Sequence, residues 1–318
     1  MKKIILLLIL ILLLSCNKSP EKINKSQPTP SKTSIVILGT IQDAGSPHIA
    51  CTKDCCKDLF DKPDNTRQVV SLGVYDASTK KRFLFEATPD MPKQLNYLLQ
   101  YGEQSDKKIP DGVFLTHAHI GHYTGLMYFG KEAMSADRVP VFAMPKMKDF
   151  LETNGPWSQL VSEKNIVINQ LKDGESIQLS NDLKVTPYRV PHRDEYSETV
   201  GCHIQGPNKS ALFIPDIDKW EKWEKSIIEE IKKVDYAFLD ATFYDGVELN
   251  NRDISQIPHP FVIESIEKFK DLNKDDKRKI IFIHFNHTNP ILNPNSSEAK
   301  NLIDKGFRIA KFQEVFEL

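Results

Sequence analysis

Three histidines within six residues, directly after a short apolar run, constrain this chain more than any other feature. The run is Gly112-Val113-Phe114-Leu115, and the histidines fall in Thr116-His117-Ala118-His119-Ile120-Gly121-His122. A short apolar run bounded in this way reads as a buried strand. His117 and His119 share strand parity, so their imidazoles leave the strand end on one side. His122 enters from the following turn, where Tyr123-Thr124-Gly125-Leu126-Met127 reads as a helix start. Imidazole nitrogen suits zinc, iron or manganese, and ligands this close in sequence lose little entropy in gathering round one ion.

Around this segment strands and helices alternate. Strands are expected at 34–38, 69–75, 82–86, 113–116, 139–143, 183–190, 199–205, 211–215, 236–240, 279–285 and 307–316. Helices are expected at 91–101, at about 218–232, near 261–269 and after Ser296. Two mixed sheets stacked between helix layers, an α/β fold, would house this order. Lysine and arginine number 42 against 43 aspartate and glutamate, a net charge of −1. No whole-protein field therefore draws nucleic acid, and the expected partner is a small-molecule substrate.

Several isolated polar residues fall at strand ends. His192 follows the 183–190 strand in Val190-Pro191-His192-Arg193-Asp194, and Asp216 ends Ala211-Leu212-Phe213-Ile214-Pro215-Asp216. His284 ends Ile281-Phe282-Ile283-His284, with Asn286 and His287 just behind. One such residue is usually a cap or a turn former. Three of them after a three-histidine cluster form a far more specific pattern.

From Ser34 to Leu318 the chain resembles the metallo-β-lactamase fold superfamily, which implies an αββα sandwich with metals in a cleft between the sheets. The family's H-x-H-x-D-H motif, later His, Asp and final His map onto His117, His119, His122, His192, Asp216 and His284. By that mapping His117, His119 and His192 hold a first metal, His122 and His284 hold a second, and Asp216 bridges them. Gly121 stands where the motif has Asp. The second position is therefore expected to be weak, and Gly121→Asp is expected to strengthen it. Within the superfamily the chain is similar to the coenzyme PQQ synthesis protein B family. The carrying segments are Ile41-Gln42-Asp43-Ala44-Gly45, Glu86-Ala87-Thr88-Pro89-Asp90, Leu239-Asp240-Ala241-Thr242-Phe243 and Asn286-His287-Thr288-Asn289-Pro290-Ile291-Leu292. The phosphodiesterases of phosphonate breakdown share much of the plan. Members of this group run hydrolytic or oxidative chemistry.

Both relatives carry a C-x-C-x-x-C zinc site near the N-terminus, completed by a distant histidine. Cys51, Cys55 and Cys56 occupy that place here, with Lys53 at the middle cysteine, and His259 falls where the distant ligand would be. A Cys₃His zinc would be closed and structural. A disulfide is the rival reading, since an exported chain meets an oxidising compartment. His48 is a spare candidate ligand, and Cys202 reads as a buried core thiol.

The N-terminus reads as an export signal, with Lys2-Lys3 before the apolar run Ile4 to Leu14. Leu13-Leu14-Ser15-Cys16 resembles a bacterial lipobox, which implies a signal peptide over 1–15 and lipid on Cys16. A flexible tether over 16–33 then precedes one domain over 34–318, held at the extracytoplasmic face of the cell envelope. PQQ synthesis uses an intermediate made inside the cell, so another substrate is expected. The leading expectation is a metal-dependent hydrolase of a phosphodiester or other ester, with one or two active-site zincs, or iron or manganese in their place. Asp216 and His284 would position the attacking water, and His287 or Asp240 would deliver a proton to the leaving group. The alternatives are an iron-dependent oxidative enzyme and a metal-retaining protein without catalysis. Hydrolysis of β-lactams does not follow from the fold.

Overall fold

The computed structural model describes residues 32–102, 106–250 and 252–318. The expected signal peptide, Cys16 and nearly all of the tether lie outside them. Thr33, assigned to the tether, already belongs to the domain, because its carbonyl accepts a hydrogen bond from the Leu318 amide at 2.9 Å. No helix among the described residues is long and apolar enough to cross a membrane.

The first half of the chain supplies β1 (Ser34–Gly39), β2 (Ser71–Asp76), β3 (Lys81–Phe85), β4 (Gly112–Phe114), β5 (Val139–Ala143) and β6 (Ile166–Gln170). The second supplies β7 (Ile177–Gln178), β8 (Lys184–Arg189), β9 (Val200–Gln205), β10 (Ser210–Ile214), β11 (Tyr236–Asp240), β12 (Ile280–Ile283), β13 (Arg308–Ile309) and β14 (Val315–Glu317). They form two seven-stranded sheets ordered β14-β1-β2-β3-β4-β5-β6 and β13-β12-β11-β10-β9-β8-β7. The sheets share one pattern. Pairing is antiparallel from β14 to β3 and from β7 to β10, and parallel from β3 to β6 and from β10 to β13.

Side-chain alternation explains the layering. Ile35, Ile37, Leu72, Val74, Phe85 and Phe114 face Phe213, Phe238, Ile281 and Ile283 across the space between the sheets. Their neighbours Val36, Leu38, Leu84 and Val113 point outward beneath helices Met91–Leu99, Pro145–Thr153 and Trp157–Ser162. Leu212, Ile214, Leu239 and Phe282 do the same beneath Ile227–Lys232, Val262–Lys268 and Ser297–Asp304. Strands buried on both faces read as continuous apolar runs, which is how these appear in the sequence. The expected αββα sandwich is the observed fold.

Two expected elements divide. The segment 218–232 is a short 3-10 turn, Trp220–Lys222, followed by a separate helix, Ile227–Lys232. The break follows from Trp220 and Trp223, which bury their rings and donate to Ser265 Oγ (2.9 Å) and the Arg189 carbonyl (2.8 Å). The closing strand expected over 307–316 is β13 in one sheet and β14 in the other. Between them Ala310 donates to the Phe282 carbonyl and Gln313, at φ 63°, donates to that of Ile37, so the chain steps from sheet to sheet.

Candidate metal centre

Every strand that delivers a polar side chain to the cleft does so at its carboxyl end. Glu86 follows β3, Thr116 and His117 follow β4, Asp216 follows β10, Asp240 ends β11, and His284 follows β12. Ends of parallel strands lie side by side, so the fold gathers residues far apart in sequence at one edge. Glu86 (φ 73°) and His284 (φ 68°) take left-handed backbone conformations. Such conformations are costly for residues other than glycine and concentrate at functional sites.

Asp216 is the hub. Its Oδ2 lies 3.4 Å from His117 Nε2, 3.9 Å from His122 Nε2 and 4.0 Å from His119 Nδ1. Its Oδ1 lies 3.3 Å from His192 Nε2 and 3.2 Å from His259 Nδ1. The far nitrogens of several rings are tied down by one repeated device. Thr116 Oγ1 donates to Glu86 Oε1 (2.5 Å) and meets His117 Nδ1 at 2.9 Å. Thr242 Oγ1 donates to Asp240 Oδ1 (2.7 Å) and meets His284 Nδ1 at 2.8 Å. Glu86 also stands 3.2 Å from His122 Nδ1. Carboxylates behind imidazoles fix ring orientation and tautomer and raise basicity.

His117 Nε2 and His119 Nδ1 meet at 2.8 Å, and other ring nitrogens of the cleft have no hydrogen-bond partner. Both nitrogens of His192, the Nε2 atoms of His122 and His284, and Asp216 Oδ1 are buried and make no hydrogen bond. Buried polar atoms are rarely left this way. One unpartnered nitrogen each from His192, His122 and His284, with Asp216 Oδ1, belongs to groups whose ligand atoms lie within 4.8 Å of one another, so the residues fit a metal. His117, His119, His192 and Asp216 form one group whose ligand atoms all lie within 4.8 Å of one another, the expected first position. His122 and His284 form a second group, and Asp43 joins them.

Electrostatics follow the geometry. Burial, reinforced by the charge of His122, holds His117 well below the usual imidazole range. Burial opposes a charge on His122 too, but Glu86, then Asp43 and Asp216, outweigh it and lift that ring to about 9. At His259 Asp240 and Asp216 likewise overcome burial and raise the imidazole to about 10. Asp216, despite its burial, is held well below the carboxylate range by His192, His259 and His117.

Four sequence expectations are corrected here. His259 is not a ligand of the cysteine group: its Nδ1 lies 2.9 Å from Asp240 Oδ2 and 3.2 Å from Asp216 Oδ1, inside the cleft. The loop after β11 carries it there instead. His287, expected to serve the leaving group, joins Cys51, Cys55 and Cys56, with its ring stacked on His48 at 4.4 Å. Asp240 is fully buried and spends both oxygens on Thr242, His259 and the Ile217 amide, so it orients rings instead of reaching a substrate. The expectation for Gly121→Asp also reverses. A Cβ on Gly121 would lie 1.8 Å from Asp43 Cβ and 2.3 Å from its Cα. Asp43, Glu86 and the two threonines were not among the expected site residues. The signal for Asp43 was the glycine itself, since a motif position emptied of its side chain marks a place where another segment approaches.

At the cysteines, Sγ of Cys55 stands 3.9 Å from that of Cys51 and 3.9 Å from that of Cys56. Thiolates bound tetrahedrally to zinc at 2.3 Å stand about 3.8 Å apart, whereas a disulfide needs about 2.0 Å. The four side chains fit zinc. Burial and Cys56 push the Cys55 thiol to about 12, a charge cost that a cation would remove. Cys202 is the fully buried core thiol expected.

An αββα sandwich with a histidine- and aspartate-rich cleft at the strand ends defines a class, and the chain belongs to it: the family model described as Beta-lactamase superfamily domain matches residues 81–285. Within that family it is PqqB-like. It is 26% identical to the coenzyme PQQ synthesis protein B of Nitrosococcus oceani, over 87% of this chain and 97% of that protein. Against the same protein of Gluconobacter oxydans identity is 22%, over 89% and 98%. Zn(2+)-bound PqqB from Methylobacterium extorquens superposes with a TM-score of 0.75 at 19% identity, covering 90% of this chain and 100% of that one. A diphosphatase from the PhnP family gives 0.65 at 21%, covering 90% and 97%. These two likenesses show the fold.

Proposed function

We propose that the chain is a zinc-dependent hydrolase of a phosphodiester or other ester, anchored by lipid on Cys16 at the outer side of a bacterial membrane. One observation supports the reaction class: the group of His117, His119, His192 and Asp216 lies beside the group of Asp43, His122 and His284, with His122 3.9 Å from Asp216 and with His259 and Asp240 grouped with Asp216 and His284 on a further side. Zinc bound there would polarise the scissile group and supply hydroxide near neutral pH. Manganese would serve the same purpose. The diphosphatase likeness supports hydrolysis at phosphorus.

The side chains divide the remaining work. Asp240 grips Nδ1 of His259 at 2.9 Å, which leaves Nε2 to hold a proton and release it to the departing oxygen. Arg193, half exposed at the rim and 3.5 Å from His119 Nε2, offers a cation to an anionic substrate group. Glu195, 3.2 Å from the same nitrogen, orients the His119 ring. The Lys2-Lys3 start, the apolar run and Leu13-Leu14-Ser15-Cys16 support the anchor.

The test is a panel of phosphodiesters, diphosphates and carboxylic esters, with the chelated protein reloaded separately with zinc, manganese and iron. Turnover of a phosphodiester that depends on zinc or manganese and disappears in His119→Ala is expected. No hydrolysis with any ion, together with iron retained through native purification, would overturn the reading. Radiolabelled lipid entering wild type but not Cys16→Ala is the matching result for the anchor; equal labelling would refute it.

A further inference from the structure

We infer that Asp43 is the carboxylate ligand of the second metal position, taking over from a different segment the place that Gly121 leaves empty. The inference rests on the metal centre proposed above and adds a residue that the sequence motif does not contain.

Asp43 is set between the neighbours of the two histidines it joins. On one side Ile41 bridges Phe285, the Gln42 amide donates to the Phe285 carbonyl at 2.8 Å, and the Phe285 amide donates to that of Thr40 at 2.8 Å. Phe285 is the next residue after His284. On the other side the Asp43 backbone lies so close to Gly121 that no Cβ fits there, and His122 is next in sequence. The carboxylate thus reaches His122 and His284 with all three ligand atoms within 4.8 Å of one another. Ligands about 2.0–2.2 Å from a zinc ion stand roughly 3–4 Å apart, so little closing is needed.

Both histidines await such a partner. Each is fully buried, and each keeps Nε2 without a hydrogen bond. Charge points the same way. Two neutral imidazoles and a share of Asp216 would leave two dications poorly neutralised at short range, where they repel strongly in a cleft. Asp43 supplies the second carboxylate. Gly121 is then a requirement of this arrangement, because an Asp at 121 and Asp43 in its present place exclude each other.

The experiment is zinc titration of the metal-free full-length chain, read by calorimetry and by ion counts in native mass spectrometry. Wild type should take three zincs, two in the cleft and one at the cysteines. Asp43→Asn keeps the shape but not the charge, so one ion should weaken by about tenfold or more, the loss typical of even an indirect partner. His122→Ala should lose that same ion, and the double variant should lose nothing further. Retention of the cysteine-bound zinc and an unchanged metal-free melting temperature report an intact fold. Asp43→Asn binding all three ions as tightly as wild type would overturn the inference alone. His119→Ala binding as many ions as wild type would overturn the metal centre itself.

Discussion

Gly121→Ala offers the sharpest perturbation, because two opposing effects act at one position. Gly121 lies in the helical turn Ile120–Tyr123, where alanine is favoured over glycine by about 1 kcal/mol. Against this stands the contact: the new Cβ would lie 1.8 Å from Asp43 Cβ and 2.3 Å from Asp43 Cα. Neither atom is the end of a flexible side chain, so the backbone at 43 must move by more than an ångström. That backbone is held by Gln42 donating to the Phe285 carbonyl at 2.8 Å and Gly45 donating to that of Gln42 at 2.9 Å. Overpacking of this kind costs about 1–3 kcal/mol, and each hydrogen bond disturbed adds about 1 kcal/mol. The clash wins, and a net loss of about 2–3 kcal/mol is expected. Urea unfolding of the metal-free protein measures it, and zinc titration should show the second cleft ion weakened in parallel. A variant within about 0.5 kcal/mol of wild type, the range of an unremarkable surface change, with unaltered zinc binding, would refute the reasoning.

His259→Ala and His287→Ala should separate cleanly: the first should keep the cysteine-bound zinc and lose about 10²–10⁴ in turnover, while the second should lose the cysteine-bound zinc and stability; phosphodiester kinetics and ion counts on both check this. His122 stands at about 9 in the metal-free cleft, so below that pH an ion must displace a proton; zinc affinity at the second position should rise from pH 6 to about 9 and then level off, as calorimetry in buffers of different ionisation heat would show. Glu248 is pushed from 4.5 to about 7 by burial, even with the Tyr244 and Asp245 amides and the Thr288 hydroxyl bonded to it. Because its folded value is raised, its contribution to stability is complete below 4.5 and is lost as pH rises through 7, by up to about 3 kcal/mol; urea melts at pH 5 and 8 should show a shallower pH dependence in Glu248→Gln than in wild type.

The sandwich was legible because period-2 patterning and doubly buried strands write themselves into apolar runs; β5 and β11 run where expected, over Val139–Ala143 and Tyr236–Asp240. The split of 307–316 between two sheets was not, since the stepping turn at Gln313 depends on hydrogen bonds to Ile37 and Phe282, partners far away in sequence. At the centre, His117, His119, His192 and Asp216 could be read from one motif and two strand ends. His259 and His287 were exchanged, because both follow strands of the second sheet and spacing alone does not say which loop turns into the cleft. Asp43 and Glu86 stand in segments that carry the family likeness. The role of Glu86 comes from its contacts with Thr116 and His122 after the neighbouring strand, which no local pattern records.

The proposed metal sites are two positions sharing Asp216 in the cleft and a third at the cysteines, and anomalous diffraction at the zinc edge, from crystals of zinc-loaded protein, would locate each of them. Three peaks per chain are predicted: one among His117, His119, His192 and Asp216, one among Asp43, His122, His284 and Asp216, and one among Cys51, Cys55, Cys56 and His287. No peak in the cleft, or a cysteine-bound peak completed by His259, would contradict it.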